Sequence, residues 1–282
     1  MAGVGMKAIK NRIKSMSSTR QITKAMELVA ASKLRGAQNR AVAARPYFEA
    51  LYAAMNEIAA SSLELESAYL RTPKTGRPAY IVIAGDRGLA GGYNSNVLKL
   101  AWRQMEGTDA VVLPIGKKAL EFFRHRGAEI LTDAYAQAAG VSVGACYTAA
   151  HLLAQGFLEG RYSSVQLFYT NFVSMLSQTP AQLQLLPLHA PQKDVPQKRG
   201  AILYEAGAEA VFSAIVPEYL GGVVYGALCE STASEQAARR TAMDAATRNA
   251  DEMIGALNLK YNQARQGAIT QELTEIVAGS EA

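Results

Sequence analysis

The uneven spacing of proline constrains this chain more than any other feature. Seven of its nine prolines fall between Pro73 and Pro196; only Pro46 precedes them and only Pro217 follows. Proline ends or kinks a helix. The two ends of the chain are therefore free to run as long helices, and the middle is punctuated.

The first stretch, Met6 to Tyr69, is dominated by Ala, Lys, Arg, Met, Leu, Glu and Gln, all good helix formers. Ile9, Ile13 and Met16 recur at helical spacing, as do Ile22, Met26 and Val29, and then Leu51, Met55 and Ile58. This predicts one apolar stripe, with Pro46 expected to bend or interrupt it. The last stretch, Gly207 to Gly279, has the same character. Pro217 and the pair Gly221-Gly222 are expected to break its first part. Beyond Gly226, Ile254, Leu257, Tyr261, Ala264 and Ala268 follow a 3-4-3-4 spacing, and Ile269, Leu273 and Ile276 continue a neighbouring stripe. At the helical rise each stretch makes a rod of roughly 75–80 Å, against about 30 Å for a small domain. Rods of that length satisfy their apolar stripes most economically by pairing as a coiled coil. Ala237, Ala238, Ala242, Ala245, Ala246 and Ala250 would permit a close approach.

Between the rods, strand and helix patterns alternate. Residues 79–84, 110–115, 164–170 and 182–188 read as strands; residues 94–105, 117–126 and 143–158 read as helices. That alternation predicts a mostly parallel sheet with helices on its faces. The segmentation is 1–70 helix, 75–205 α/β domain and 207–282 helix.

Charge follows the same division. Residues 1–50 carry a net +8, and residues 230–282 a net −3. A basic arm seeks an acidic surface, whether nucleic acid, anionic lipid or protein. A nucleic-acid-binding coiled coil is one reading, but residues 1–46 contain no Phe, Tyr or Trp for base stacking. No apolar run reaches about 18 residues, so no membrane-spanning helix is expected. Residues 1–7 lack the apolar core of a secretory signal. Cys146 and Cys229 form no CxxC pair, which argues against a disulfide scaffold or a cysteine zinc site.

Chemistry is sparse. The loop Gly85-Asp86-Arg87-Gly88-Leu89-Ala90-Gly91-Gly92-Tyr93-Asn94 lies where a doubly wound sheet would bind a phosphate, yet it is neither GxGxxG nor a P-loop. A dinucleotide enzyme with helical extensions therefore lacks its fingerprint, and a tight strand-to-helix turn is the preferred reading. His125, His151 and His189 have no metal-binding spacing, and Asp86 and Asp133 have no partner spacing for acid–base work. No cofactor and no catalytic residue are expected.

Two stretches are more specific. Residues 12–34 (RIKSMSSTRQITKAMELVAASKL), and residues 234–239 (SEQAAR) with 261–277 (YNQARQGAITQELTEIV), resemble the gamma subunit family of the F-type ATP synthase in its bacterial form. So does the Asp86–Asn94 loop, with Ala90 where many members have cysteine. The resemblance spans essentially the whole chain. It implies an antiparallel coiled coil of the terminal helices with an inserted Rossmann-like α/β domain, forming a central rotor stalk. The implied partners are three alpha and three beta subunits, epsilon and the membrane c-ring, on the cytoplasmic side of a bacterial plasma membrane, with ATP made on beta. By resemblance Arg265, Gln266 and Thr270 hydrogen-bond a beta loop, Lys24, Met26, Lys33 and Arg35 face acidic beta segments, and Tyr225 and Glu230 belong to the epsilon and c-ring foot. Ala268, Ile269, Leu273, Ile276 and Val277 would suit sliding in an apolar bearing. The regulatory cysteine insertion of plastid members is absent.

Overall fold

The structure is a computed structural model, and it describes residues 2–61, 67–73, 75–188, 205 and 207–280. The chain forms two compact units, residues 32–238 and residues 1–31 with 239–282. His189 and the rest of residues 189–204, within the expected α/β segment, lie outside the described residues.

The larger unit is built on a five-stranded sheet in the order β3-β2-β1-β4-β5. The strands are β1 (Arg77–Ile83), β2 (Val111–Ile115), β3 (Glu129–Ile130), β4 (Tyr162–Phe172) and β5 (Gln178–Leu186). The first four run parallel, and β5 is antiparallel to β4. This is the doubly wound order, with β1 at the point where the winding reverses. β1 and β2 are apolar on both faces, as strands covered from both sides must be. Ala79, Ile81, Ile83, Leu113 and Leu167 turn to one face. There they meet α4 (Val143–Leu158), the first part of α5 (Ala208–Ser280), and Met55 and Ile58 of α1 (Ala2–Ser61). Tyr80, Val82, Val112 and Phe168 turn to the other face, under α2 (Tyr93–Met105) and α3 (Lys117–His125). β3 has only two residues, too few to produce a sequence pattern.

The helices depart from expectation at their breakers. α5 runs unbroken through Pro217 and Gly221-Gly222, and α1 runs unbroken through Pro46. Packing explains α5. An interior proline costs about 3 kcal/mol and a glycine about 1. Phe212, Val216, Leu220 and Val224 are buried on the sheet face, each contributing about 1.5–3 kcal/mol. Gly221 serves the same contact, because a Cβ there would stand 2.4 Å from the Tyr147 ring of α4. Gly116, between β2 and α3, has φ +97°, and a Cβ there would meet the Ala84 carbonyl oxygen at 2.0 Å. One window of α5 reaches a mean hydropathy of 1.4, long and apolar enough by composition to cross a membrane, where no such run was expected. Half of that window is buried, as in the core helix of a folded protein.

In the larger unit Leu34 and Ala37 of α1 pack against Ala233 and Ala237 of α5. The α5 segment is also fastened to β4 through main-chain groups. The pairing of β4 with β1 stops at Val82–Phe168, and Pro180, opposite Thr170, has no N–H to give. Two fully buried serines of α5 take over. Thr170 N–H donates to Ser231 Oγ at 3.1 Å, and Ser234 Oγ donates to the Thr170 carbonyl at 3.2 Å.

The smaller unit is an antiparallel helix pair. Arg20 Nη1 meets Asp251 Oδ1 at 3.1 Å, and Thr23 and Thr247 share a 2.7 Å hydroxyl bond, so numbers rise on one helix as they fall on the other. Ile254, Leu257, Tyr261, Ala264 and Ala268 are each half-buried between exposed neighbours, which is the expected 3-4-3-4 stripe. On the α1 side Ile9, Ile13, Met16 and Met26 are half-buried as expected, and the stripe departs at two positions. Thr23 and Ala30 are buried, whereas Ile22 is 57% and Val29 54% exposed. Small side chains let the helices close, and they displace the larger apolar ones outward by one position.

Candidate functional site

The candidate surface is the outside of the helices. Among the described residues no group of three His, Cys, Asp or Glu could hold a metal. The residues once open to a catalytic reading are structurally engaged. Asp86 accepts the N–H of Ala138 at 2.8 Å and of Lys117 at 3.1 Å on Oδ1, and of Ala139 at 3.1 Å on Oδ2. It thereby ties the start of α3 to the segment before α4. Asp133 pairs with Arg124, and His151 Nε2 lies 3.0 Å from Glu218. Cys146 and Cys229 are free and buried, and burial pushes the Cys146 thiol up to about 12.

In the smaller unit, Lys24 is exposed and donates to Glu27 Oε2 at 2.9 Å, while Met26 is half-buried beside the seam. Arg265, Gln266 and Thr270 are exposed, and the Thr270 hydroxyl folds back on the Gln266 carbonyl. Because Thr23 faces Thr247, the Arg265 group lies about 27 Å further along α5. The two groups are therefore well separated along one helix pair. In the larger unit Lys33 and Arg35 are exposed. Tyr225 and Glu230 are half-buried on α5 and engaged inside the unit. Tyr225 sits beside Cys229 and Arg40, with its hydroxyl pKa raised chiefly by burial, and Glu230 acts on Tyr169.

The sequence reading missed the outward apolar set of the smaller unit. Ile22, Leu28 and Val29 on α1, and Met253 and Leu259 on α5, are each more than half exposed. Of the C-terminal set, Ile269, Leu273, Ile276 and Val277 are 48–68% exposed and Ala268 is half-buried. Apolar residues in such numbers on the solvent side of a helix pair mark a surface that a partner covers. The available signal was a surplus: residues 22–30 hold more apolar side chains than one seam can use.

Comparison with known proteins decides which family carries this surface. The family described as ATP synthase matches residues 5–282. The ATP synthase gamma chain of Ruminococcus albus is 45% identical over 281 residues, covering 98% of this chain and 97% of that one.

The chain belongs to the ATP synthase gamma chain family.

A gamma chain of Acetobacterium woodii described as sodium ion specific is 39% identical, covering 97% of both chains. Among solved structures, a chain of the Euglena gracilis mitochondrial ATP synthase covers 99% of this gamma chain with a TM-score of 0.66 at 18% identity. A chain of the Tetrahymena thermophila central stalk and c-ring covers 80% with a TM-score of 0.59 at 24% identity. These two likenesses concern the fold, and they match the long terminal helices around an α/β sheet described above. As a bacterial-type gamma chain, this protein is the central rotor shaft of an ATP synthase. The nucleic-acid reading of its basic arm finds no support in family or fold.

Proposed function

We propose that this gamma chain turns inside a collar of three alpha and three beta subunits and is not itself catalytic. In this reading the foot of the stalk meets epsilon and the c-ring on the cytoplasmic face of a bacterial plasma membrane. Proton-driven rotation is passed to beta, where ATP forms. The observation that carries this is the outward apolar set of the smaller unit, Ile22, Leu28, Val29, Ile269, Leu273 and Ile276, interrupted by Lys24, Arg265 and Gln266. Apolar side chains slide past a collar without fixed geometry. Polar side chains make bonds that exist at some angles and not at others, which is what couples angle to the state of a neighbouring site. Arg265 offers a forked donor to a carboxylate, and Gln266 offers both donor and acceptor. Thr270, Lys24, Met26, Lys33 and Arg35 join them as beta contacts. Tyr225 and Glu230, being half-buried, would act at the foot by shaping the α5 surface.

The test is reconstitution with alpha and beta. The purified chain alone should hydrolyse no ATP. Arg265→Ala with Gln266→Ala should change the melting of the isolated chain by less than about 0.5 kcal/mol, since both are exposed, while turnover or assembly of the complex falls. Unchanged turnover together with unchanged assembly would remove both residues from the contact set.

A further inference from the structure

We propose that the tip of the β4–β5 hairpin, residues 173–177, is a docking knob for an acidic, apolar-flanked segment of a beta subunit. The proposal rests on the reading of this chain as a rotor inside a collar of alpha and beta subunits, and it adds a contact that lies off the helices.

Composition is the first observation. From Tyr162 to Leu188, through β4, the tip and β5, the chain carries no Lys, Arg, Asp or Glu. β5 ends the sheet among the described strands, and edge strands that face only water are commonly guarded by charge. At the tip Leu176 is 86% and Val173 60% exposed. Leu176 is the most exposed large apolar side chain among the described residues. Apolar side chains on the surface, in a stretch depleted of charge, are the compositional mark of an interface core.

The second observation is that the tip is held in shape. Ser174 Oγ accepts the N–H of Ser177 at 3.1 Å and of Leu176 at 3.3 Å, and Ser174 N–H donates to the Ser177 carbonyl at 3.0 Å. Gln178 Nε2 donates to the carbonyls of Ser174 and Met175, both at 2.9 Å. Phe172 and Met175 turn inward and pack against Leu34 and Ala37 of α1 and Ala233 and Ala237 of α5. Val173 and Leu176, each one residue further along, turn outward. Their exposure contributes nothing to folding, and the ordering of the loop is already complete before a partner arrives. This is preorganisation for binding.

Placement names the occupant. Leu34, on which the tip is seated, lies between the exposed Lys33 and Arg35. A partner that satisfies the tip and these cations together presents carboxylates beside apolar side chains. The segments proposed to meet Lys33 and Arg35 are acidic segments of beta, so the knob extends that same contact. Carboxylates of the segment face the two cations, and its apolar flank covers Leu176 and Val173. Free of charge, the knob neither repels the segment nor loses ionic hydration on contact. Seated beside the helix pair, it meets one beta subunit at a time, so the contact depends on angle.

The experiment replaces Leu176 with the photo-crosslinker p-benzoylphenylalanine in the full chain, reconstitutes it with alpha, beta and epsilon, and identifies the adduct by mass spectrometry. A beta adduct is expected. The same probe at Glu106 should give none, because Glu106 is exposed just beyond α2, at the end of the sheet where β1 and β2 begin, opposite to the tip. Leu176→Ser with Val173→Ser should melt with the wild type, both side chains being exposed, and should bind the alpha–beta complex at least about tenfold more weakly, the loss expected for one buried leucine. If that variant melts lower, the adduct alone decides. An adduct to epsilon only, no adduct in an assembled complex, or undiminished binding by a normally melting double variant would each overturn the knob. A wild-type chain that fails to assemble with alpha and beta overturns the rotor reading and the knob together. Assembly and turnover without a beta adduct at position 176 overturn the knob alone.

Discussion

Replacing Asp86 with alanine should unfold the larger unit at a lower temperature without touching the chemistry of the assembled complex. Its carboxylate receives three main-chain N–H groups, from Lys117, Ala138 and Ala139. Hydrogen bonds to a charged acceptor contribute about 1.5–3 kcal/mol where partly buried and less where exposed. Only the Ala138 bond is part-buried, so it should supply about 2 kcal/mol and the two exposed bonds about 0.5 each. The sum, about 3 kcal/mol, corresponds to a melting decrease of about 6–12 °C for a chain of this size. Asp86→Asn keeps one acceptor oxygen, able to serve Lys117 and Ala138, but turns an amide N–H toward Ala139; roughly half the loss is expected. The assay is thermal unfolding of the full chain by circular dichroism, beside ATPase turnover after reconstitution. If Asp86→Ala melts with the wild type while turnover collapses, the clamp assignment is wrong and the residue belongs to function.

Leu257→Asp places a charge on the half-buried stripe of the smaller unit and should cost about 1–2 kcal/mol; normal melting with normal assembly would refute the seam. Cys146 should resist alkylation at pH 8 in the folded chain, because a thiol pKa of about 12 leaves about one thiolate in ten thousand. Rapid labelling by a maleimide before unfolding would contradict its burial. Arg77 donates to both carboxylate oxygens of Glu129, and this hydrogen bonding lowers the Glu129 pKa. A depressed carboxylate stabilises the fold above its ordinary range, and that contribution is lost as pH falls through the lowered value. Glu129→Gln should flatten this part of the acid limb of a melting-versus-pH curve, and an unchanged limb would count against the pair.

How much of this was legible in sequence varies with the range of the interaction. The apolar runs at 79–84 and 110–115 named their strands because continuous burial leaves a continuous apolar signature. Ile254, Leu257 and Tyr261 named the α5 stripe because the opposing surface is regular. Residues 22–30 misled because Thr23 and Ala30 face the partner helix, and small side chains carry no hydrophobic signal. Pro217 and Gly221 misled because their local cost is outweighed by Phe212, Val216 and Leu220 meeting a sheet whose nearest core residue, Leu186, lies 26 residues before Phe212 in sequence. Asp86 could be seen but not placed, since its three donors lie 31–53 residues further along the chain. The candidate contacts were legible only through resemblance, because an exposed Arg265 looks like any solvated arginine.

The two serines that close the end of β4 have a consequence for observing this protein at work. Amide hydrogens in a sheet normally exchange with solvent when a neighbouring strand peels away. The Thr170 amide is instead held by Ser231 on a helix. Its exchange rate therefore clocks the lifting of α5 from the sheet, while the amides of β1 and β2 clock the sheet itself. A load that strains the helix against its seat would be visible at one proton, with the rest of the strand silent.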